Sequence, residues 1–138
     1  MKPITAIALL TIASFVPLGS ALAADQAVEA KVPFDFTVGN QLLPAGTYRI
    51  SSPSSGILEI RDSSGQAWVK TVALQAYNDA IGRGDLVFDH YGDKYFLSEI
   101  ICPSAAISAH IPASKLEKQA RTHEASLHSS GQTLVALK

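Results

Sequence analysis

The chain has a single cysteine and no large excess of positive or negative charge, and each of these features excludes a class of protein. Cys102 cannot form an intramolecular bridge, so the fold is not a disulfide scaffold. We interpret Cys102 as a small buried residue, with an intermolecular disulfide as the alternative in an oxidising compartment. The chain carries 11 Lys and Arg against 12 Asp and Glu, a net charge of −1 at pH 7, without a basic stripe. Nucleic acid and anionic lipid surfaces are therefore poor partner hypotheses.

The N-terminus has the pattern of a secretory signal peptide. Lys2 supplies a positive charge, and residues 4–16 form an apolar run without a charged side chain. The run has about 13 residues, which is short of the roughly 20 that cross a bilayer. An ordinary buried helix is the alternative interpretation.

Small residues mark the predicted cleavage site. Ala21 and Ala23 occupy the two positions that a signal peptidase reads, which makes Ala24 the expected mature N-terminus, with a cut one residue later as the alternative. We expect a cleaved signal over 1–23 and one exported domain over 24–138, periplasmic or secreted, with no integral membrane segment.

Strand patterns dominate the first two-thirds of that domain. Residues 28–38 alternate strictly, which predicts one long strand with a buried face of Val28, Ala30, Val32, Phe34, Phe36 and Val38. Pro33 lacks an N–H and predicts a sheet edge or a bulge there.

Further strands are predicted at regular intervals. Residues 57–61 form a short strand, and residues 85–91 and 94–102 form a hairpin around Gly92-Asp93. Residues 66–77 are apolar on both faces, which favours a central strand covered on two sides. Its predicted inward side chains are Trp68, Val72, Leu74 and Ala76.

One short motif between the strands is similar to the tyrosine corner of secreted β-sandwich modules. The motif is L-P-x-G-x-Y over residues 43–48. It predicts that Gly46 takes a backbone shape closed to other residues and that Tyr48 packs back under the turn.

A helix is predicted near the C-terminus, after an irregular segment over 103–112. Ser114 and Glu117 match the capping box that begins a helix, and the helix is expected over about 114–128. Leu116, Ala120, His123 and Leu127 are predicted to line one side of this surface helix, and a last strand over 132–137 is predicted to close the sheet. The predicted fold is all-β: a small antiparallel sandwich or barrel of six to seven strands with one peripheral C-terminal helix.

Sequence motifs typical of catalytic or metal-binding sites are weak in this chain. His123 and His128 are spaced i, i+5, whereas a zinc-protease helix needs i, i+4 to aim both rings at one ion. Four acids, Asp79, Asp85, Asp89 and Asp93, are too widely spaced for a calcium loop and are interpreted as solvated turn carboxylates. We therefore expect no catalytic, cofactor-binding or metal-binding residues and no cofactor.

Three segments resemble a bacterial family of small exported proteins that has no assigned activity. They are residues 32–40 (VPFDFTVGN), 43–48 (LPAGTY) and 86–97 (LVFDHYGDKYFL). The likeness covers most of residues 30–121, including the P-x-S-x-x-E helix start. It implies a common fold and an exported location, and it transfers no site residues.

The functional hypothesis that follows is a non-catalytic exported binding or structural module with an unknown envelope or extracellular ligand. A lipocalin-like carrier of a small apolar ligand is the alternative, and it requires a cavity lined by Phe34, Phe36, Trp68 and Phe88. The third hypothesis, a hydrolase, requires His90 or His110 beside an acid and a nucleophile. The sequence favours the non-catalytic role.

Overall fold

A computed structural model describes residues 27–65, 68–76, 84–125 and 130–138, and in these ranges the chain forms eleven strands and one α-helix. The predicted signal, with Ala21, Ala23 and Ala24, lies outside the described residues. The strands are β1 (Ala27–Val32), β2 (Phe36–Val38), β3 (Gln41–Leu43), β4 (Gly46–Ser54), β5 (Ile57–Asp62), β6 (Trp68–Val72), β7 (Leu74–Gln75), β8 (Asp85–Tyr91), β9 (Lys94–Cys102), β10 (Ile107–His110) and β11 (Ser130–Ala136). The helix is α1 (Lys115–Ala125), and a 3₁₀ turn spans Pro103–Ala105.

The strands form two sheets that curl around one core. Sheet I has the antiparallel order β1-β4-β5-β6. Sheet II has the order β11-β8-β9-β10-β7, and β2 joins β9 through a parallel bridge between Thr37 and Phe96, with β3 beside β2. The sheets meet where β1 approaches the end of β11: Ala30 pairs with Leu137, and the Lys138 N–H donates to the Glu29 carbonyl at 3.0 Å. The predicted all-β fold with one C-terminal helix is confirmed.

Aromatic rings fill the space between the two sheets. Phe88 is fully buried and Phe36 is almost so. The Phe88 ring meets Phe34 and Phe36 edge-to-face at centroid distances of 5.2 and 5.3 Å. Edge-to-face pairs are favourable beyond their burial, so these rings specify the packing of the core as well as contributing to its stability.

The prediction of one long strand over 28–38 is wrong. The first strand ends before Pro33, and the chain then crosses from one sheet to the other. Strand β1 pairs with β4 in sheet I, whereas β2 pairs with β3 and β9 in sheet II. Pro33 has no N–H to donate, and the ladder between β1 and β4 ends just before it, at Val32. Both halves face the same core, so the alternation continues across the break.

The inward face predicted for residues 66–77 is also wrong. Val69 and Ala73 are buried, whereas Val72 is 65% exposed and Leu74 is 57% exposed. The register with β5 sets this orientation, since Val69 lies opposite buried Ile60. Strands β6 and β7 lie at the edges of sheets I and II, so the segment is not a central strand. The side chain of Trp68 is outside the described part of the structure.

The turn before β4 confirms one half of the corner motif. Tyr48 is buried, and its hydroxyl donates to the Pro44 carbonyl at 2.5 Å, so the ring packs under the turn. Gly46 does not have a positive φ, and a Cβ there would lie 3.6 Å from the Tyr48 ring, an ordinary contact. The special backbone expected of Gly46 is therefore wrong.

The C-terminal third contains one strand that the sequence did not indicate. Strand β10 lies within the segment predicted to be irregular and pairs with β9. The helix start is confirmed, since the Glu117 N–H donates to Ser114 Oγ at 3.1 Å. The expected end of the helix falls on residues 126–129, which are outside the described ranges. Strand β11 pairs with β8 along its length and closes sheet II as predicted.

Cys102 ends β9 on the inner side of the fold. It is buried, and its Sγ lies 3.3 Å from Ser104 Oγ. A thiol in this position packs as a small apolar residue, and an intermolecular disulfide would require the strand end to open.

Candidate functional site

Helix α1 covers only part of the outer face of sheet II, and a groove remains beside it. The helix packs on β8 and β11, and its Ala120 also meets Phe96 of β9, whereas Leu42 on β3 and Lys94 at the start of β9 are exposed. We call this space the helix groove: it lies between α1 and the β2–β3 hairpin and has a volume of about 560 Å³. That volume falls in the range of small-molecule sites, roughly 300–1,000 Å³.

The floor and walls of the helix groove are apolar. Phe96, Tyr91 and Ala120 form a buried floor, in which the Phe96 and Tyr91 rings lie 5.9 Å apart. Leu42 on β3 and Leu116 on α1 line the groove and are 68% and 46% exposed. Both leucines expose apolar surface beside a concave space, which distinguishes them from isolated surface leucines. Leu116 was predicted on the same side of the helix as Ala120 and His123, and all three border the groove.

The mouth of the helix groove is polar. Lys94, Gln119, His123 and Glu124 border it. His123 Nδ1 lies 3.7 Å from Glu124 Oε1. Lys94 is exposed and forms no ion pair among the described residues.

Gly92 in the β8–β9 turn lies close to Glu124 at the end of α1. Gly92 has a φ of 63°, which favours glycine, and a Cβ there would stand 2.9 Å from Glu124 Oε1. The Glu124 carboxylate is the end of a flexible side chain and can move aside, so the positive φ is the main reason for a glycine at this position.

A polar cluster lies under α1, next to the floor of the groove. Glu117 is only 6% exposed and faces β8 and β10. Burial raises the pKa of Glu117, and the nearby charge of Asp89 raises it further; the Ser114 N–H, Arg121 and His110 act in the opposite direction. Asp89 is held by Gln132, whose Nε2 donates to Asp89 Oδ1 at 3.0 Å.

Tyr91 belongs to both the groove and this cluster. Its ring lines the groove. Burial raises the pKa of its hydroxyl, with the charges of Asp89 and Glu117 adding to the effect, while a hydrogen bond and the charge of Arg121 oppose it. The hydroxyl therefore stays protonated at neutral pH.

The two histidines considered for a hydrolase, His90 and His110, lie in different surroundings. The His90 ring lies against Gly131, where a Cβ would come within 2.7 Å of Nε2, and its buried Nδ1 has no hydrogen-bond partner among the described residues. His110 is exposed on β10. Among the described residues neither ring is hydrogen-bonded to an acid or to a nucleophile, so the structure does not bring together a catalytic triad there.

The carboxylates considered for metal binding are dispersed. Asp85 begins β8, Asp89 lies in its middle and Asp93 lies in the following turn, while Asp79 and His128 are outside the described residues. Within the described ranges no group of three or more His, Cys, Asp or Glu residues is arranged to hold a metal ion.

A second ionic group lies on the outer face of sheet I. Glu59 is buried on β5 between Arg61 and Lys70, and Lys70 Nζ lies 3.4 Å from Glu59 Oε2. Burial alone would raise the pKa of Glu59, but the hydrogen bonds and charges of Arg61 and Lys70 outweigh it and hold the pKa below its ordinary value. Each charge has a partner within the group, which is typical of a structural ion-pair network.

Comparisons of the chain with models of protein families, with curated proteins and with solved structures find no match. In the ranges that the structure covers, no helix has the length and apolar character needed to span a bilayer.

Sequence reasoning missed the helix groove, although one of its walls left a signal. Leu42 and Leu43 are adjacent in a three-residue strand, so one of the two must point outward. Leu43 is buried and Leu42 is exposed. No pattern in the sequence indicates that α1 stops short of β3 and leaves Leu42 beside a groove.

Proposed function

We propose that this protein is a non-catalytic, exported binding module that holds a small ligand in the helix groove. The groove itself is the observation that carries the proposal: apolar walls, a buried aromatic floor and a polar mouth are the usual parts of a small-molecule site. Export is supported by the N-terminal pattern over residues 1–23, and the location is the periplasm or the medium.

The packing of the core favours a surface site over an interior one. Phe34, Phe36 and Phe88, which were expected to line the cavity of a carrier, contact one another instead. Because these rings fill the space between the sheets, the described positions give no support to the lipocalin-like alternative. The dispersed histidines likewise give the hydrolase alternative no support.

Native mass spectrometry of the protein isolated from the cells that produce it tests the proposal. We expect extra mass that is released on denaturation, which would represent a retained ligand. Leu42→Glu places a charge on the wall of the groove and should abolish the extra mass. Leu134→Glu is the matched control, because Leu134 is also on a strand and similarly exposed, at 64% against 68% for Leu42.

Two results would contradict the proposal. One is the absence of extra mass on the natural protein under gentle conditions. The other is extra mass that survives Leu42→Glu or disappears equally in Leu134→Glu, because either outcome would place the ligand elsewhere.

A further inference from the structure

We infer that the ligand of the helix groove is an uncharged amphiphile, an apolar chain with one head group, such as a hydroxyl or an amide, that both donates and accepts hydrogen bonds. This inference rests on the proposed function and adds the chemical class of the ligand. Three features of the groove support it: the opposite charges at its mouth, the hydrogen-bonding capacity of the side chains there, and its apolar floor and walls.

Lys94 and Glu124 carry opposite charges and lie at the same end of the groove. Both border it. The Glu124 carboxylate lies close to Gly92 in the β8–β9 turn, and Lys94 begins β9 two residues later. A charged head group at the mouth would be attracted by one of these side chains and repelled by the other, so the mouth favours neither an anion nor a cation.

The polar side chains at the mouth suit a head group that both donates and accepts hydrogen bonds. Lys94 can only donate, the Glu124 carboxylate can only accept, and the Gln119 amide does both. A hydroxyl or an amide on the ligand can accept from Lys94 and donate to Glu124. A carboxylate can only accept and a quaternary ammonium does neither, so neither ion satisfies both side chains.

The apolar part of the groove accommodates the chain of the ligand and excludes an ionised head. Phe96 forms part of the buried floor, and Leu42 and Leu116 line the open part above it. None of these three side chains has a polar atom, so an ion that moved inward would lose its water without gaining a hydrogen bond. An alkyl chain gains from the same surface, by up to roughly fourfold in affinity for each buried CH₂.

Charges of both signs also lie behind the floor. The carboxyl groups of Asp89 and Glu117 act on the Tyr91 hydroxyl in one direction, and the guanidinium of Arg121 acts on it in the other. The surroundings of the floor therefore add no preference for an ion of one sign to the balance at the mouth.

An uncharged amphiphile could reach the groove as a free molecule or as part of a membrane. The shape favours a free molecule, because the groove is a local concavity of about 560 Å³ beside a single helix, whereas a membrane surface is broad and flat. We therefore commit to a monomeric amphiphile and treat vesicle binding as an outcome of the test.

Calorimetry with three ten-carbon probes tests the inference on the full protein. The probes are decanol, below its solubility limit, and decanoate and decyltrimethylammonium, below their micelle concentrations. The measurement is made at pH 8, where imidazole groups are ordinarily uncharged. We expect decanol to bind at least about fivefold more tightly than either ion, because each ion leaves a polar group at the mouth unsatisfied.

Two substitutions that unbalance the mouth should change the preference among the ions. Lys94→Gln leaves the charge of Glu124 and should tighten binding of decyltrimethylammonium by up to about fivefold, the upper end for an exposed ion pair. Glu124→Gln leaves the charge of Lys94 and should tighten binding of decanoate to the same extent. Lys31→Gln and Glu29→Gln are the matched controls, because both residues are exposed on β1, away from the groove, and they should change neither.

The outcomes separate this inference from the proposed function. Equal binding of the three probes, tighter binding of either ion than of decanol, or ion binding that ignores both mouth substitutions would overturn it. If none of the probes binds while the natural protein retains a mass that Leu42→Glu abolishes, the ligand class is wrong and the groove remains the site. If the natural protein retains no mass, the proposed function fails as well. Binding to phosphatidylcholine vesicles without binding to decanol would also overturn the inference, since the occupant would then be a membrane surface.

Discussion

Phe88 is the residue on which the packing of the two sheets most depends, and Phe88→Ala tests this directly. The side chain is fully buried, and it makes edge-to-face contacts with Phe34 and Phe36. Removing a buried phenylalanine costs about 3–5 kcal/mol. We expect the upper half of that range, because two aromatic pairs of about 0.5–1.5 kcal/mol each are lost with the ring.

The assay is urea unfolding at pH 7 followed by far-ultraviolet circular dichroism. A loss of that size is a large part of the 5–15 kcal/mol that stabilises an ordinary domain, so Phe88→Leu serves as a milder variant with an expected loss of about 1–3 kcal/mol. Leu134→Ala is the control and should change stability by less than about 0.5 kcal/mol, because the side chain is 64% exposed. A Phe88→Ala protein that unfolds at the same urea concentration as the wild type would refute the assignment of Phe88 to the core.

Four other substitutions have expected outcomes. Tyr48→Phe should cost about 1 kcal/mol in urea unfolding, because it removes the hydroxyl that donates to the Pro44 carbonyl; an unchanged midpoint would show that this bond is dispensable. Val69→Ala should destabilise the protein by about 1–2 kcal/mol and Val72→Ala by less than about 0.5 kcal/mol, since only Val69 is buried. A larger loss for Val72→Ala than for Val69→Ala would show that Val72 is the side chain that faces the core. Burial raises the pKa of Glu117, so its favourable contribution is complete below the ordinary value of 4.5 and is lost as the pH rises through the folded-state pKa. Glu117→Gln should therefore gain stability relative to the wild type as the pH rises from about 4 to 7, and a relative loss over that range would contradict the sign.

The sequence predicted elements well where one face of the chain was clearly apolar. The β8–β9 hairpin was found because glycine and aspartate punctuate two apolar runs, and Gly92 does adopt a positive φ. The start of α1 was found because Ser114 and Glu117 form a local motif whose hydrogen bonds need no distant partner.

Failures occurred where a long-range contact decides the structure. The pattern over residues 28–38 cannot distinguish one strand from two strands in different sheets, because both present the same apolar face to one core. Residues 66–77 have apolar side chains on both faces, so their pattern does not indicate which face is buried. The pairing of β6 with β5 decides this, and sequence alone does not show that pairing.

The candidate site was the least predictable part of the structure. The helix groove results from the position of α1 over β8 and β11, and this position depends on tertiary packing. Its residues are ordinary ones: a leucine pair, a lysine after a turn and two aromatic side chains in a strand hairpin. Their chemistry becomes visible only when the fold brings them to one concave surface.

The most direct test of a surface binding groove is a ¹H–¹⁵N correlation titration of the protein with the ligand released from the natural protein. Chemical-shift changes should concentrate around the helix groove, at Leu42, Lys94, Phe96 and Leu116, and they should be absent from the core residue Phe88. Changes centred on Phe88 and its aromatic neighbours would contradict the account and would place the ligand between the sheets. A spectrum that does not respond to that ligand at all would contradict a binding site in the helix groove.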